Sequence, residues 1–193
     1  MNITTVEVTR VSSPTEIIDI MDLQALNLKQ NITAEEAIDQ GFLTAAYTIE
    51  YLQEMNSAYP SIIATVGDKV VGYVLVATKG IRKGHDLIEG LFDAIDACEY
   101  NGKLLSDVNY VVVGQLCVAK EYRGQDLVQK LYGHFRDCLS NEFTYLVTDV
   151  AKANVRSLKA HKKRGFQVIN ELTYGGFGWD IVLWDWNAAD QNI

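Results

Sequence analysis

Hydrophobic and polar positions change period along this chain, and each change marks the border of an element. "TTVEVTRV" (residues 4–11) alternates apolar and polar side chains as an edge strand does. Ser13-Pro14-Thr15-Glu16 then forms a capping box with proline at the first helical position. Ile17, Ile20, Met21, Leu23 and Leu28 follow at roughly helical spacing. A second box, Thr33 to Glu36, opens a short helix, and "AYTIEYLQEMN" reads as a third. "SIIATVGDKVVGYVLVA" is a hairpin of two β-branched runs turning at Gly67-Asp68. Leu87, Ile88, Leu91, Phe92 and Ile95 share one face of a helix over 86–97, followed by a polar link at Asn101-Gly102. "YVVVGQLCVA" is apolar almost throughout, the pattern of a strand covered on both faces. Leu127, Val128, Leu131, Phe135 and Leu139 stripe the next helix. The remainder reads strand ("FTYLVTDV"), helix ("NVRSLKAHKKR"), strand ("FQVINELTY"), glycine turn ("GGFG") and strand ("WDIVLWDW").

This order predicts a mixed α/β fold in which "YVVVGQLCV" and "FTYLVTDV" form a parallel crossover pair around the intervening helix. With 193 residues, 48% apolar and 22% charged, a single domain spanning 1–193 is expected. The first ten residues lack the basic and apolar regions of a secretory signal, and the longest apolar run, "VVGYVLVA", is too short for a bilayer, so a cytoplasmic location without membrane partners is expected. Cys98, Cys117 and Cys138 are odd in number and far apart. They suggest buried apolar residues rather than a disulfide framework or a metal site. A net charge of -8 argues against nonspecific nucleic-acid binding and fits a cationic substrate, although acidic surfaces also serve solubility alone.

The stretch "EYRGQDLVQKLY" leads from a strand into a helix, where unpaired N–H groups and the helix dipole make a ready anion site. Arg123 adds a guanidinium and Gly124 a place for close backbone approach. Neither a Walker loop nor a dinucleotide fingerprint is present, and on these residues alone Asp126 is equally well read as an ordinary helix cap. From Lys152 to Arg164 lie six basic residues and no acidic one. An isolated run of this kind is usually a solvated helix face. Here it follows the second parallel strand, at the end of the sheet where α/β folds bind ligands, which points to one polyanionic ligand.

Together these residues resemble the GNAT superfamily of acyl-CoA-dependent N-acetyltransferases. "LCVAKEYRGQDLV" matches the family's strand and the Arg123 position of its [QR]-x-x-G-x-[GA] motif, with Asp126 and Val128 in place of the later small residues. "NVRSLKAHKKRGF" matches an asparagine twelve residues before the phenylalanine of a terminal "GF". The resemblance implies a mostly antiparallel sheet of six to seven strands with a central parallel pair, flanked by helices on both faces. It further implies acetyl-CoA as acyl donor, with the backbone of Leu116, Cys117 and Val118 pairing with the pantetheine arm. Arg123, Gly124, Gln125, Asp126, Leu127 and Val128 would wrap the pyrophosphate, with Asn154 completing the site. A working variant is the favoured reading, with Asp126 turned outward as a cap.

Acyl transfer needs a neutral amine, donors for the oxyanion and a proton for the thiolate. The family often supplies a glutamate where this chain has Gln115, which cannot act as a base. Asp149 is the nearest carboxylate candidate, a turn residue capping the next helix being its alternative. The Val118 N–H is the implied oxyanion donor. His161 replaces the family's tyrosine as the candidate proton source for the thiolate, whereas His85 and His134 read as surface residues. Tyr47, Glu50, Tyr51 and Glu54 match an acceptor wall that would receive a cation, against the favoured alternative of packed tyrosines and solvated glutamates. The insertion at 79–109 fits either a cover over the acceptor or a contact in a homodimer. Trp179, Trp184 and Trp186 read as core or interface residues. The leading function is N-acetylation of a primary amine on a small molecule or protein by direct attack in a ternary complex. The alternatives are a non-catalytic acyl-CoA-binding regulatory module and, last, an interaction protein using the basic helix.

Overall fold

The computed structural model describes residues 5–188, with the side chains at 38–40 left aside, so the first residue of the expected opening strand, at position 4, lies outside it. The elements run in chain order β1 (Glu7–Arg10), α1 (Pro14–Asn27), α2 (Ala34–Gln40), α3 (Ile49–Ala58), β2 (Ile62–Val66), β3 (Lys69–Ala77), α4 (Asp86–Asp96), β4 (Glu99–Tyr100), β5 (Lys103–Leu104) and β6 (Tyr110–Val118). They continue with α5 (Leu127–Leu139), β7 (Tyr145–Ala151), α6 (Val155–Arg164), β8 (Gln167–Tyr174) and β9 (Phe177–Asp185). The capping box forms as its spacing predicts. Ser13 Oγ accepts from the Glu16 N–H at 3.4 Å, and the Glu16 carboxylate accepts from the Ser13 N–H at 2.8 Å. Asn101-Gly102 is more than a polar link. Both residues take positive φ, 51° and 73°, and turn the small β4–β5 hairpin in the manner Asn-Gly pairs favour.

A seven-stranded sheet has the order β1-β2-β3-β6-β7-β9-β8, and β6–β7 is its parallel pair. Helices α1, α3 and α4 cover one face, where Ile20, Leu52, Met55, Phe92 and Ile95 pack against Tyr73, Leu75, Val112 and Val147. Helices α5 and α6 cover the other, where Leu131, Tyr132 and Phe135 meet Val74, Val111, Leu146 and Val182. Covering both faces explains the near-continuous apolar composition of β3 and β6. Among the described residues no helix is long and apolar enough to cross a membrane.

The parallel pairing is short. Tyr110, Val111 and Val112 lie opposite Tyr145, Leu146 and Val147, and beyond them the strands part. On its other side β6 stays paired with β3, but the register slips so that Leu75 faces Gln115 and Val76 faces Val113, leaving Gly114 as a bulge. A Cβ on Gly114 would stand 3.2 Å from Met55 Cε, so the bulge fits best without a side chain. One extra residue inverts the alternation downstream. Gln115 and Cys117 therefore point toward α1 and α4, and Leu116 and Val118 toward α5.

Candidate active site

Where β6 and β7 diverge, backbone groups that a neighbouring strand would satisfy turn to side chains instead. Thr148 Oγ1 donates to Val113 O at 3.0 Å, and Tyr47 Oη donates to Gly114 O at 2.8 Å. Beyond the fork the Ala119 N–H bonds back to Val71 O at 2.8 Å. By the two-residue period of a strand, Cys117 shares that direction, while the N–H and C=O of Leu116 and the N–H of Val118 turn into the gap, the Val118 C=O being taken by Arg123 Nε at 2.9 Å. Of the three backbone positions expected to meet a pantetheine arm, Leu116 and Val118 face the gap and Cys117 is engaged with β3. A cavity of about 860 Å³ runs through the gap from one face of the sheet to the other.

On the α5 face the cavity is bordered by Arg123, Gly124, Asp126, Leu127, Val128, Asn154, Arg156, Ser157 and Lys163. Gly124 at φ 78° and Asp126 at φ 55° curl the chain into the start of α5, whose internal bonds begin with the Gln129 and Lys130 N–H groups on Asp126 O. The N–H groups ahead of these have no intrahelical partner and are free for an anion. Asp126 occupies the cap position, but its side chain makes no capping bond. It turns to Lys163, with Oδ1 and Nζ 2.7 Å apart, and this ammonium lowers its pKa through hydrogen bond and charge. Exposed Gln125 donates to Glu121 O at 3.1 Å. Arg123 folds under the strand. Its Nε donates to Val118 O at 2.9 Å and Nη2 bonds Asn27 Oδ1, while Nη1, also buried, meets no acceptor among the described residues. Asn154 caps α6, accepting the Ser157 N–H at 3.1 Å. The basic run is divided: Lys152 pairs with Glu171 and Asp180 at 2.6 and 3.4 Å, Arg164 stacks on Trp184, and Arg156 and Lys163 remain at the cavity.

On the α4 face the wall holds Asp149, Tyr47, Gln115 and Cys117 with apolar residues of α4. Asp149 is half-buried, and desolvation pushes its carboxyl up to about 6, with a compensating bond only from its own backbone. Burial, with smaller contributions from Tyr51 and the Asp149 charge, keeps the Tyr47 phenol well above its ordinary range. Gln115 acts as a brace: its Nε2 donates to Ala45 O at 2.8 Å and its Oε1 accepts from Tyr73 Oη at 2.6 Å. Gln24 holds the same loop from α1, its amide exchanging two 3.0 Å bonds with the Tyr47 backbone. Burial pushes the Cys117 thiol up to about 12, so it remains protonated near neutrality. Tyr51 bonds Ile81 O at 3.0 Å and packs, and Glu50 and Glu54 face solvent outside the cavity lining. From the insertion, Leu87, Ile88, Gly90, Leu91 and Ala94 of α4 line the cavity.

His161 lies in the cavity wall but is 5% exposed, and its nitrogens are engaged elsewhere. Nδ1–H donates to Ser157 O at 2.8 Å, which makes Nε2 the acceptor for the Tyr132 hydroxyl at 2.7 Å. Burial lowers its pKa to about 4, so the ring is neutral. This arrangement leaves no free nitrogen for a departing thiolate, in contrast to the role the spacing from Asn154 implies. His85 also differs from a plain surface residue, since its Nδ1 accepts the Leu87 N–H at 3.2 Å and its ring lies 4.9 Å from Tyr47. Trp184 and Trp186 are core residues, whereas Trp179 lines the cavity. Asn27 and Thr148 join the site through long-range bonds that no local pattern signals, whereas Tyr47, expected in an acceptor wall, lines the cavity.

A family model described as the acetyltransferase (GNAT) family matches residues 30–166. No curated protein sequence matches the chain. Among solved structures, it is similar to the ribosomal-protein-S18-alanine N-acetyltransferase of Escherichia coli, at 12% identity and a TM-score of 0.63 over 98% of this chain and 99% of that one. Arabidopsis thaliana NAA60 in complex with acetyl-CoA gives 14% and 0.64, over 94% and 99%. The NatC complex bound to Gag peptide and CoA gives 14% and 0.64, over 93% and 98%.

Proposed function

The chain belongs to the GNAT family and is an acyl-CoA-dependent N-acetyltransferase, and from that premise we propose that it acetylates a primary amine by direct attack in a ternary complex, with Asp149 as base. Acetyl-CoA supplies the acetyl group as a thioester. The main chain of Leu116 and the Val118 N–H extend β6 toward the pantetheine arm, and the start of α5 offers N–H groups to the diphosphate. Arg156 adds positive charge beside it, and Lys163 offsets the charge of Asp126. The Val118 N–H stands at the gap as oxyanion donor.

The observation that carries the reading is the fork, open between β6 and β7, with anion donors on one face and a desolvated carboxylate on the other. An alkylammonium of pKa roughly 10 loses affinity for its proton on leaving water, and Asp149, ionised above about pH 6, accepts that proton. The amine nitrogen bonds to the acetyl carbon, the carbon–sulfur bond breaks, and the thiolate takes a proton from solvent on the α5 face. Cys117, with its thiol held protonated, is unsuited to carrying the acetyl group in a two-step relay, which favours direct attack. His161 acts as a positioning residue that joins α6 to α5 through Tyr132. The acceptor amine belongs to a small molecule or a protein. The name of the E. coli neighbour, acting on a ribosomal-protein alanine, gives a precedent for the latter.

The test is thiol release from acetyl-CoA with a primary amine, measured against pH for the wild type and Asp149→Asn. The wild-type kcat/KM is expected to fall below about pH 6. The variant should lose that limb and drop by about 10²- to 10⁴-fold while calorimetry shows retained acetyl-CoA binding. An unchanged rate and profile in the variant would remove Asp149 from the mechanism.

A further inference from the structure

This inference rests on the acetyl-transfer reading and concerns the acceptor. The cavity half on the α4 face is walled by Leu87, Ile88, Leu91 and Ala94, with Leu172 of β8 and Trp179 of β9 opposite. Among the described residues lining the cavity the acids are Asp126 and Asp149, and Asp126 belongs to the other half, where Lys163 neutralises it at 2.7 Å. Despite the net charge of -8, an acceptor entering this half therefore meets one carboxylate and otherwise mostly hydrocarbon. Glu50 and Glu54, the nearest sequence candidates for further negative charge, are exposed and outside the lining. A second ammonium on the acceptor would be stripped of water without a partner.

The rim adds a second restriction. Phe42 and Phe177 both border the cavity, and their rings would otherwise be attractive seats for a cation. The protein's own Lys29 fills them, with Nζ 5.0 Å from the Phe42 centroid and 4.5 Å from that of Phe177. An incoming second positive charge meets like charge there.

We propose that the acceptor is a monocationic primary amine carried on a hydrophobic body, and that the site discriminates against diamines and polyamines. The experiment compares kcat/KM for n-octylamine and 1,8-diaminooctane, which match in reach and differ by one ammonium. A short peptide with an N-terminal leucine serves as the protein-like source of the same chemistry. Octylamine, the peptide or both should exceed the diamine by about ten- to a hundredfold. Lys29→Met should narrow that ratio severalfold while leaving kcat for the preferred amine within about twofold, because Lys29 meets the rim phenylalanines from outside the cavity lining. Turnover of the peptide alone places the hydrophobic amine on a protein, and turnover of octylamine places it on a small molecule. A diamine used as well as its monoamine counterpart, with transfer intact, overturns this inference alone. Acetyl-CoA binding without transfer to any amine overturns the proposed function with it.

Discussion

Asp126 holds a left-handed backbone at φ 55°, in a loop where glycine is the default and where a diphosphate would lie against the main chain. Aspartate tolerates that conformation better than most residues, and its charge is compensated by Lys163 rather than by capping the helix. In the proposed diphosphate site, the loop would thus carry its own carboxylate and spend one neighbouring cation on it. Asp126→Gly should release Lys163 and remove like charge, tightening acetyl-CoA binding by about three- to tenfold in calorimetric titration at low salt, less so as salt rises. A weaker or unchanged affinity would mean that the carboxylate is already screened from the ligand. At this scale the sequence is informative where a role depends on neighbours in the chain. That Arg123, Gly124 and Asn154 border the cavity was legible because the motifs around them are contiguous. Asn27 was not, since it meets Arg123 across 96 residues, nor was Thr148, whose partner Val113 is 35 residues away. His161 shows the converse. Its helical face was legible from the spacing, but the Tyr132 hydroxyl that occupies it comes from another helix, 29 residues back.

Elements decide where chemistry is exposed, and here two irregular features matter most. The Gly114 bulge reverses the facing of β6 after the fork, setting Cys117 and Gln115 on the α4 face and Leu116 and Val118 on the α5 face. The strand itself was plain from its composition. Its change of phase was not, because a run apolar on both faces carries no alternation from which to count. The amphipathic period of α4 was equally clear, but periodicity states only that a face is buried, and part of that face borders a cavity. Gly90 offers the direct check on this wall. It lines the cavity and a Cβ built on it meets nothing within 4 Å, so a larger side chain enters open space. Gly90→Leu should leave folding intact or raise stability by about 0.5–1 kcal/mol through helix propensity. It should raise KM for the amine about tenfold and leave acetyl-CoA affinity unchanged. A shift in acetyl-CoA affinity instead would place α4 beside the coenzyme.

For the whole molecule, two desolvated ionisable groups of the cavity wall, half-buried Asp149 and buried His161, pull stability in opposite directions with pH. Asp149 titrates near 6 in the folded chain against an ordinary 3.8, because desolvation penalises its charge. Its contribution to stability is therefore full below pH 3.8 and is lost as pH rises through 6. His161 titrates near 4 against an ordinary 6.5, also through desolvation. Its contribution is full above pH 6.5 and is lost as pH falls through 4. Each group alone would impose a slope of about 1.4 kcal/mol per pH unit, with opposite sign, so between pH 4 and 6 they largely cancel. Asp149→Asn removes one side of the balance. In urea unfolding the variant should gain about 2–3 kcal/mol over the wild type at pH 7, then lose it progressively between pH 6 and 4, where the wild type varies little. The Tyr132→Phe/His161→Phe double variant, which leaves no orphaned hydroxyl, should tilt the other way and grow more stable toward pH 4. Parallel curves for all three would show that neither group is desolvated as the fold requires, and the kinetic limb expected near pH 6 would lose its source. A carboxylate kept in the cavity wall at a cost to stability above pH 6 is intelligible as the base of the reaction, since the pH range in which it destabilises the fold is the range in which it can take a proton from an amine.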